Sequence, residues 1–280
     1  MLILKASYKF PKIHMFLYLL SCHFVSCNNK TTIKTQQTIC HKTIEKEIHR
    51  EPVDSFSIRY EQCLQNAGFI ELTSIDSSIA LKLKYASIDN FLHLNLYHSF
   101  AKCYLNPETA NKLKIAQNKL QMNNPKLRLV VLDATRPTCV QQIMWDSTKM
   151  NITDKRKFLS NPKNYSIHNF GLAVDCSIID EQGKLVDMGT EYDYAGEKAF
   201  PCKEQEMLSK GELTAVQLEN RRILRNAMKE AGFTINPYEW WHFNVCSRTI
   251  AKKSYNRIVD FRTFVKPEQS VYLGSNNDFK

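Results

Sequence analysis

The run Leu172–Ile179, LAVDCSII, limits most strongly what this chain can become. A short apolar run bounded by turn residues reads as a buried strand. A buried strand has no packing use for a carboxylate, yet Asp175 sits in the middle of it. Just upstream, in NYSIHNFG, stands His168, with Gly171 between the two. Two readings fit the pair. His168 is a satisfied loop histidine and Asp175 a turn carboxylate, or the two hold a metal together.

The neighbouring segments define the fold class. NPETANKLKIAQNKLQ predicts a helix, with Asn106 as cap, Pro107 in the first turn and Glu108 at the positive end of the dipole. LRLVVLD, from Leu127, reads as a short buried strand, and TCVQQIMW as a helix capped by Thr138. TAVQLENRRILRNAMKEAG is the strongest helix: Thr214 and Gln217 have capping-box spacing, and Gly232 ends it. Its Ile223, Leu224, Ala227, Met228 and Ala231 form one apolar stripe. EWWHFNV, from Glu239, is an aromatic-rich strand. Helices flanking a small antiparallel or mixed sheet make an α+β fold.

Composition bounds the rest. The chain has 280 residues, 43% of them hydrophobic, enough for one sizeable core. The net charge of +10 is spread along the chain without a dense basic block or a nucleic-acid motif, so a solvated basic surface is expected and no nucleic-acid partner. The first residues differ: Lys5, Lys9 and Lys12 precede an apolar run from about Met15 to Val25. That run is short for a membrane span and fits a signal-peptide core. It ends in FVSC, where Cys27 resembles the lipidated cysteine of a bacterial lipoprotein, with Cys22 as the rival position. The expected organisation is a signal peptide over 1–26, a polar tether over 27–55 with some helix near 42–50, and one folded domain over 56–280. The protein would be exported, periplasmic or held at a membrane only through the lipid, and cytoplasmic if the N-terminal segment is not a signal. Losing 1–26, with its three lysines and no acid, would leave a charge of +7. No CxxC pair occurs among the nine cysteines, which argues against a cysteine zinc cluster.

A catalytic zinc needs three nitrogen or oxygen ligands and an open position. His168 and Asp175 offer two; PYEWWHF offers His242 as the third and Glu239 as a nearby carboxylate base. A three-residue step in a regular strand turns side chains to opposite faces, so Glu239 has to stand outside the pleat to serve. VVLDATRP places Asp133 and Arg136 just past a buried strand, with Pro137 stiffening the loop. Arg136 would be the positive group for a developing oxyanion. Each residue alone has an ordinary reading: a solvated histidine, a surface arginine, a turn aspartate, a core tryptophan pair at Trp240–Trp241.

Taken in order, DATRP, SIHNFGLAVD, DMGTEYD and EWWHF resemble the zinc D-alanyl-D-alanine dipeptidases. That family shares a superfamily with D,D-carboxypeptidases and the Hedgehog signalling domain, and its pattern SxHxxGxAxD, MGTxxD, EWWH is met here in full. The likeness extends over about residues 60–250, and includes LKYASIDNFLHLNLY and CYLNPETANKL upstream. It implies one zinc per chain, held by His168, Asp175 and His242. Glu239 would be the catalytic base and Arg136 would stabilise the tetrahedral intermediate. Asp193 and Ser166 would hold the amino end of a small D-amino dipeptide, and Asp133 would support the arginine. Ile167, Asn169, Phe170 and Thr135 depart from the family's usual residues, which bears on substrate preference more than on chemistry. The rival readings are a D,D-carboxypeptidase acting on peptidoglycan stem peptides and a zinc-holding binding module without turnover. Retention of both Glu239 and Arg136 speaks against the second, since a structural site needs neither.

Overall fold

The apolar runs become the central strands of a sheet. A computed structural model describes residues 53–266. The expected signal peptide, nearly all of the expected tether, the helix expected near 42–50, and Cys22 and Cys27 lie outside the described residues. The helices are α1 (Val53–Asn66), α2 (Leu72–Ile75), α3 (Pro107–Asn123), α4 (Thr138–Ser147), α5 (Ile152–Phe158), α6 (Glu204–Ser209), α7 (Ala215–Glu230) and α8 (Arg248–Ser254). The strands are β1 (Ile70–Glu71), β2 (Ala80–Leu81), β3 (Tyr104–Leu105), β4 (Arg128–Asp133), β5 (Ala173–Ile179), β6 (Thr234–Asn236), β7 (Glu239–Asn244), β8 (Arg257–Ile258) and β9 (Phe264–Val265).

The main sheet has five strands in the order β2-β4-β5-β7-β6. Only the β2–β4 pair is parallel; the others are antiparallel, so the sheet is mixed and the fold α+β. Strand pleating sends alternate residues to opposite faces. Leu129, Val131, Val174, Cys176, Ile178 and Phe243 pack with Leu113 and Leu120 of α3 and Leu224 and Met228 of α7. Val130, Leu132 and Ile179 form a smaller cluster of their own. A second core, built from Tyr60, Leu64, Tyr85, Tyr97, Phe100, Val140 and Met144, joins α1 and α4 to the loop that follows β2.

The helix ends follow local chemistry. Asn106 Oδ1 accepts from the Glu108 amide at 3.0 Å. Thr214 and Gln217 form the reciprocal capping box, at 3.2 and 2.9 Å. Gly232, with φ +85°, ends α7 in the left-handed conformation that favours glycine. One expectation is corrected: Thr138 is the first residue of α4 and not its cap, because its hydroxyl donates instead to the Ile258 carbonyl at 3.0 Å. The first helix begins at Val53, a few residues before the expected start of the domain. No disulfide joins the six described cysteines.

Candidate metal centre

Three adjacent strands bring polar residues into one row. Asp133 of β4 pairs with Asp175 of β5, and Asp175 pairs with His242 of β7. Two carboxylates directly opposite each other repel. Arg136 offsets this: its Nη2 lies 2.6 Å from Asp133 Oδ2 and 3.7 Å from Asp175 Oδ2.

His168 reaches the row from a short 3-10 turn, Ile167–Phe170. The Ser166 hydroxyl accepts from the His168 amide at 3.3 Å, and Asn169 Oδ1 accepts from the Ser166 amide at 2.7 Å. Gly171 closes the turn at φ +63°. The turn is bonded to the Asp133–Arg136 loop twice: the Arg136 amide donates to the His168 carbonyl at 3.1 Å, and Asn169 Nδ2 donates to the Arg136 carbonyl at 2.8 Å. The tertiary position of His168 is therefore set by the arginine loop.

His168 Nε2, Asp175 Oδ1 and His242 Nδ1 converge. The separations are 3.2 Å between the two nitrogens, and 3.3 and 3.0 Å from the carboxylate oxygen to His168 and His242. These atoms form a group able to hold one metal ion. The donor set fits a cation. His168 Nδ1 faces the Ala134 carbonyl at 2.7 Å and His242 Nε2 faces Asn244 Oδ1 at 2.9 Å. Each outer nitrogen is thus assigned as the N–H donor to an oxygen, which leaves a lone pair on each inner nitrogen. Two lone pairs and a carboxylate packed this closely repel unless a positive charge lies among them. Asp175 Oδ2 is turned away and accepts from the Tyr192 hydroxyl at 2.8 Å. Burial by itself would raise the Asp175 carboxyl, but a positive charge beside it, as His168 and His242 provide when protonated in the metal-free protein, outweighs this and holds it well below the ordinary carboxylate range.

Glu239 lies at the start of β7, its Oε2 3.8 Å from His242 Nδ1. The strand irregularity explains how it shares a side with His242. Ile235 pairs with Phe243, but Asn236 pairs with Glu239, so Trp240, Trp241 and His242 bulge out of register with β6. Asn236 Nδ2 donates to Glu239 Oε2 at 2.6 Å. Burial pushes the Glu239 carboxyl up to about 8; Asp175 and Asp193 add to this, while His242 and Arg136 oppose it.

Asp193 has φ +63°, an uncommon backbone for a non-glycine residue, and accepts from the Tyr85 hydroxyl with both oxygens, at 3.1 and 2.9 Å. Burial, then Asp175, raises its carboxyl well above the ordinary value. Asp133 is fully buried and takes two bonds from Arg136, at 2.9 and 2.6 Å, and one from the Tyr97 hydroxyl at 2.7 Å. Arg136 Nη1 donates to Gln141 Oε1 at 2.7 Å.

A cavity of about 220 Å³ unites these groups: Arg136, Ser166, His168, Asp175, Asp193, Glu239 and His242 all line it. It is smaller than the roughly 300–1,000 Å³ of pockets for drug-sized ligands. Asp133 stands behind it, reached through Arg136. Trp240 and Trp241 are core residues, and Trp241 also lines the cavity. Six supporting residues were not singled out from the sequence: Tyr85, Tyr97, Gln141, Tyr192, Asn236 and Asn244. A tyrosine beside the MGTEYD aspartate and an asparagine two residues after His242, on the same strand face, were the available signals.

A D-ala-D-ala dipeptidase family model, Peptidase M15, matches residues 65–261. The chain is similar to the D-alanyl-D-alanine dipeptidase of Escherichia coli (strain K12), at 27% identity over 71% of this chain and 93% of that protein. It is also similar to the dipeptidases of that name from Synechocystis sp., at 30% identity over 43% of this chain and 60% of that protein, and from Enterococcus faecalis, at 23% identity over 68% and 96%. With the family model spanning most of the described fold and all of the converging residues, this chain belongs to the D-ala-D-ala dipeptidase family of peptidases.

Proposed function

We propose that this protein hydrolyses free D-alanyl-D-alanine to two D-alanines in a zinc-dependent reaction, in cell-wall peptide turnover. The observation that carries the reading is the convergence of His168 Nε2, Asp175 Oδ1 and His242 Nδ1, with Glu239 and Arg136 on the same cavity wall. His168, Asp175 and His242 would hold the zinc. When bound there, zinc supplies a Lewis acid that brings the pKa of water toward neutrality and polarises a carbonyl.

The protein's own groups do the rest. Glu239 is the base, taking a proton from water and returning it to the leaving amine; burial raises its carboxyl to about 8 in the metal-free protein, and a bound cation beside it would favour the ionised form that the base needs. Asn236 holds Glu239 in place. Arg136 is clamped by Asp133 and Gln141, so its charge is preorganised for the negative charge that develops on the scissile carbonyl oxygen. Asp193 is a half-buried carboxyl held by Tyr85 and acted on by Asp175 and Asp133; a substrate ammonium supplies the cation that makes its ionised form favourable. A capped or internal peptide would leave that acid unpaired, which costs binding. Ser166 lines the same cavity, and its hydroxyl proton is available to the substrate while its oxygen caps the turn.

The deciding experiment is hydrolysis by the zinc-loaded protein of D-Ala-D-Ala, N-acetyl-D-Ala-D-Ala and L-Ala-L-Ala, with Glu239→Ala as control. Cleavage of the free D,D-dipeptide alone, lost in the variant, is the expected result. Cleavage of the acetylated form would assign a D,D-carboxypeptidase, and zinc binding without any cleavage a binding module. We further propose export and lipidation at Cys27. Labelling with a fatty-acid analogue, lost in Cys27→Ala but kept in Cys22→Ala, tests this.

A further inference from the structure

Two guanidinium groups of the site cavity have no part in the reaction proposed above. Arg156 of α5 and Arg248 of α8 line the cavity together with Asp193 and Glu239. Among the described residues neither has a carboxylate ion-pair partner. The other basic groups of that cavity, the histidines aside, are engaged: Arg136 by Asp133, and Lys157 by Asp154 at 3.6 Å.

Arg248 is nevertheless held in position. Its Nη2 donates to Ser160 Oγ at 3.2 Å. The Ser160 carbonyl accepts from Gln141 Nε2 at 2.9 Å, and Gln141 Oε1 accepts from Arg136 Nη1 at 2.7 Å. This relay ties Arg248 to the Arg136 wall. Asp193 is fixed from a different element, by Tyr85 in the 3-10 turn Lys84–Ala86. Besides Glu239, which serves the reaction, the cavity therefore offers one acid without a cationic partner, Asp193, and two guanidiniums without an anionic one, on separately anchored elements. A free dipeptide is a zwitterion and presents the complementary pair of charges.

We infer that Arg248, assisted by Arg156, binds the C-terminal carboxylate of the substrate and makes the site selective for a free carboxyl end. The inference rests on the dipeptidase reading. An arginine fork suits a carboxylate because it can donate two parallel bonds. Arg156 and Arg248 are exposed at the rim, so their contribution falls as salt rises.

The test compares D-Ala-D-Ala with its C-terminal amide, D-alanyl-D-alaninamide. In the zinc-loaded wild-type protein the amide should have a kcat/KM lower by about tenfold, through KM, as expected for a lost charge-assisted hydrogen bond. Arg248→Gln should lower the value for D-Ala-D-Ala by a similar factor and leave the amide unchanged, so that the two substrates become equal. Arg248→Lys should restore part of the discrimination, and Arg156→Gln should reduce it less. An equal loss on both substrates, or no loss on either, overturns the assignment. If the wild-type protein cleaves neither substrate, the dipeptidase reading fails, and calorimetric binding of the same two compounds decides. Tighter binding of the carboxylate form that disappears in Arg248→Gln would uphold the site. Equal binding of both compounds, or of neither, would overturn it.

Discussion

A carboxyl enclosed among other carboxylates is costly to ionise, and Glu239 stands in that position. Its pKa of about 8 lies above its ordinary value, so its contribution to the stability of the metal-free protein is complete below the ordinary carboxylate range. That contribution is lost as pH rises through about 8. Glu239→Gln should therefore raise the Tm of the metal-free protein by a few degrees at pH about 9 and leave it nearly unchanged at pH about 4. Calorimetric scans at the two pH values check this; an equal shift at both would contradict it. The same substitution should lower kcat by roughly 10²–10⁴ with zinc still bound, since a neutral amide cannot move the proton. Asp133 has a different weight. It is fully buried against an arginine only 5% exposed, and removing one partner of such a pair costs about 3–5 kcal/mol. Asp133→Ala should show that loss in urea unfolding, together with a fall in activity. At this scale the sequence made the candidate ligands, acids and cation legible, because His, Asp, Glu and Arg are recognisable by type. It did not identify Tyr192, Gln141 or Asn244, whose value lies only in the atom that each side chain meets.

At the scale of elements, the turn at Ile167–Phe170 is the critical part. It is short, and it holds His168 through a serine cap, an asparagine clasp and Gly171. A Cβ at Gly171 would come within 2.3 Å of the Phe69 ring and 2.8 Å of the Asn106 amide, at φ +63°. The backbone strain alone is worth ~1–3 kcal/mol, and the amide cannot move without disturbing the start of α3. Gly171→Ala should weaken zinc binding at least tenfold in a competition with a chelator, while a surface change such as Gly183→Ala, at a turn with open space, should not. The sequence made the long elements legible: α3, α7, β4, β5 and β7 have caps or apolar runs that act locally. The bulge between β6 and β7 was visible only as a requirement, from the three-residue step between Glu239 and His242. Its form depends on pairing with β5 and β6, which no local pattern encodes.

For the whole molecule, the proposed zinc would join β5, β7 and the turn before β5, which are central parts of one sheet and its margin. A ligand that binds only the folded state stabilises it by mass action, about 2.7 kcal/mol at one hundred times its Kd. Chelation should lower Tm, zinc should restore it, and His168→Ala should remove the response; a zinc-independent Tm would count against the site. What the sequence determined by itself was the inventory: which runs are strands, which helices are capped, and which side chains are of a type that can ligate a metal or move a proton. Those are properties of residue type and near spacing. Tertiary structure decided which histidine nitrogen faces inward, how Arg136 is shared between Asp133 and Asp175, and how the environment raises Glu239 and Asp193. Each of these depends on strand register and on burial by residues far away in the chain, and a desolvation cost or a hydrogen-bond partner exists only once those distant groups have been brought together.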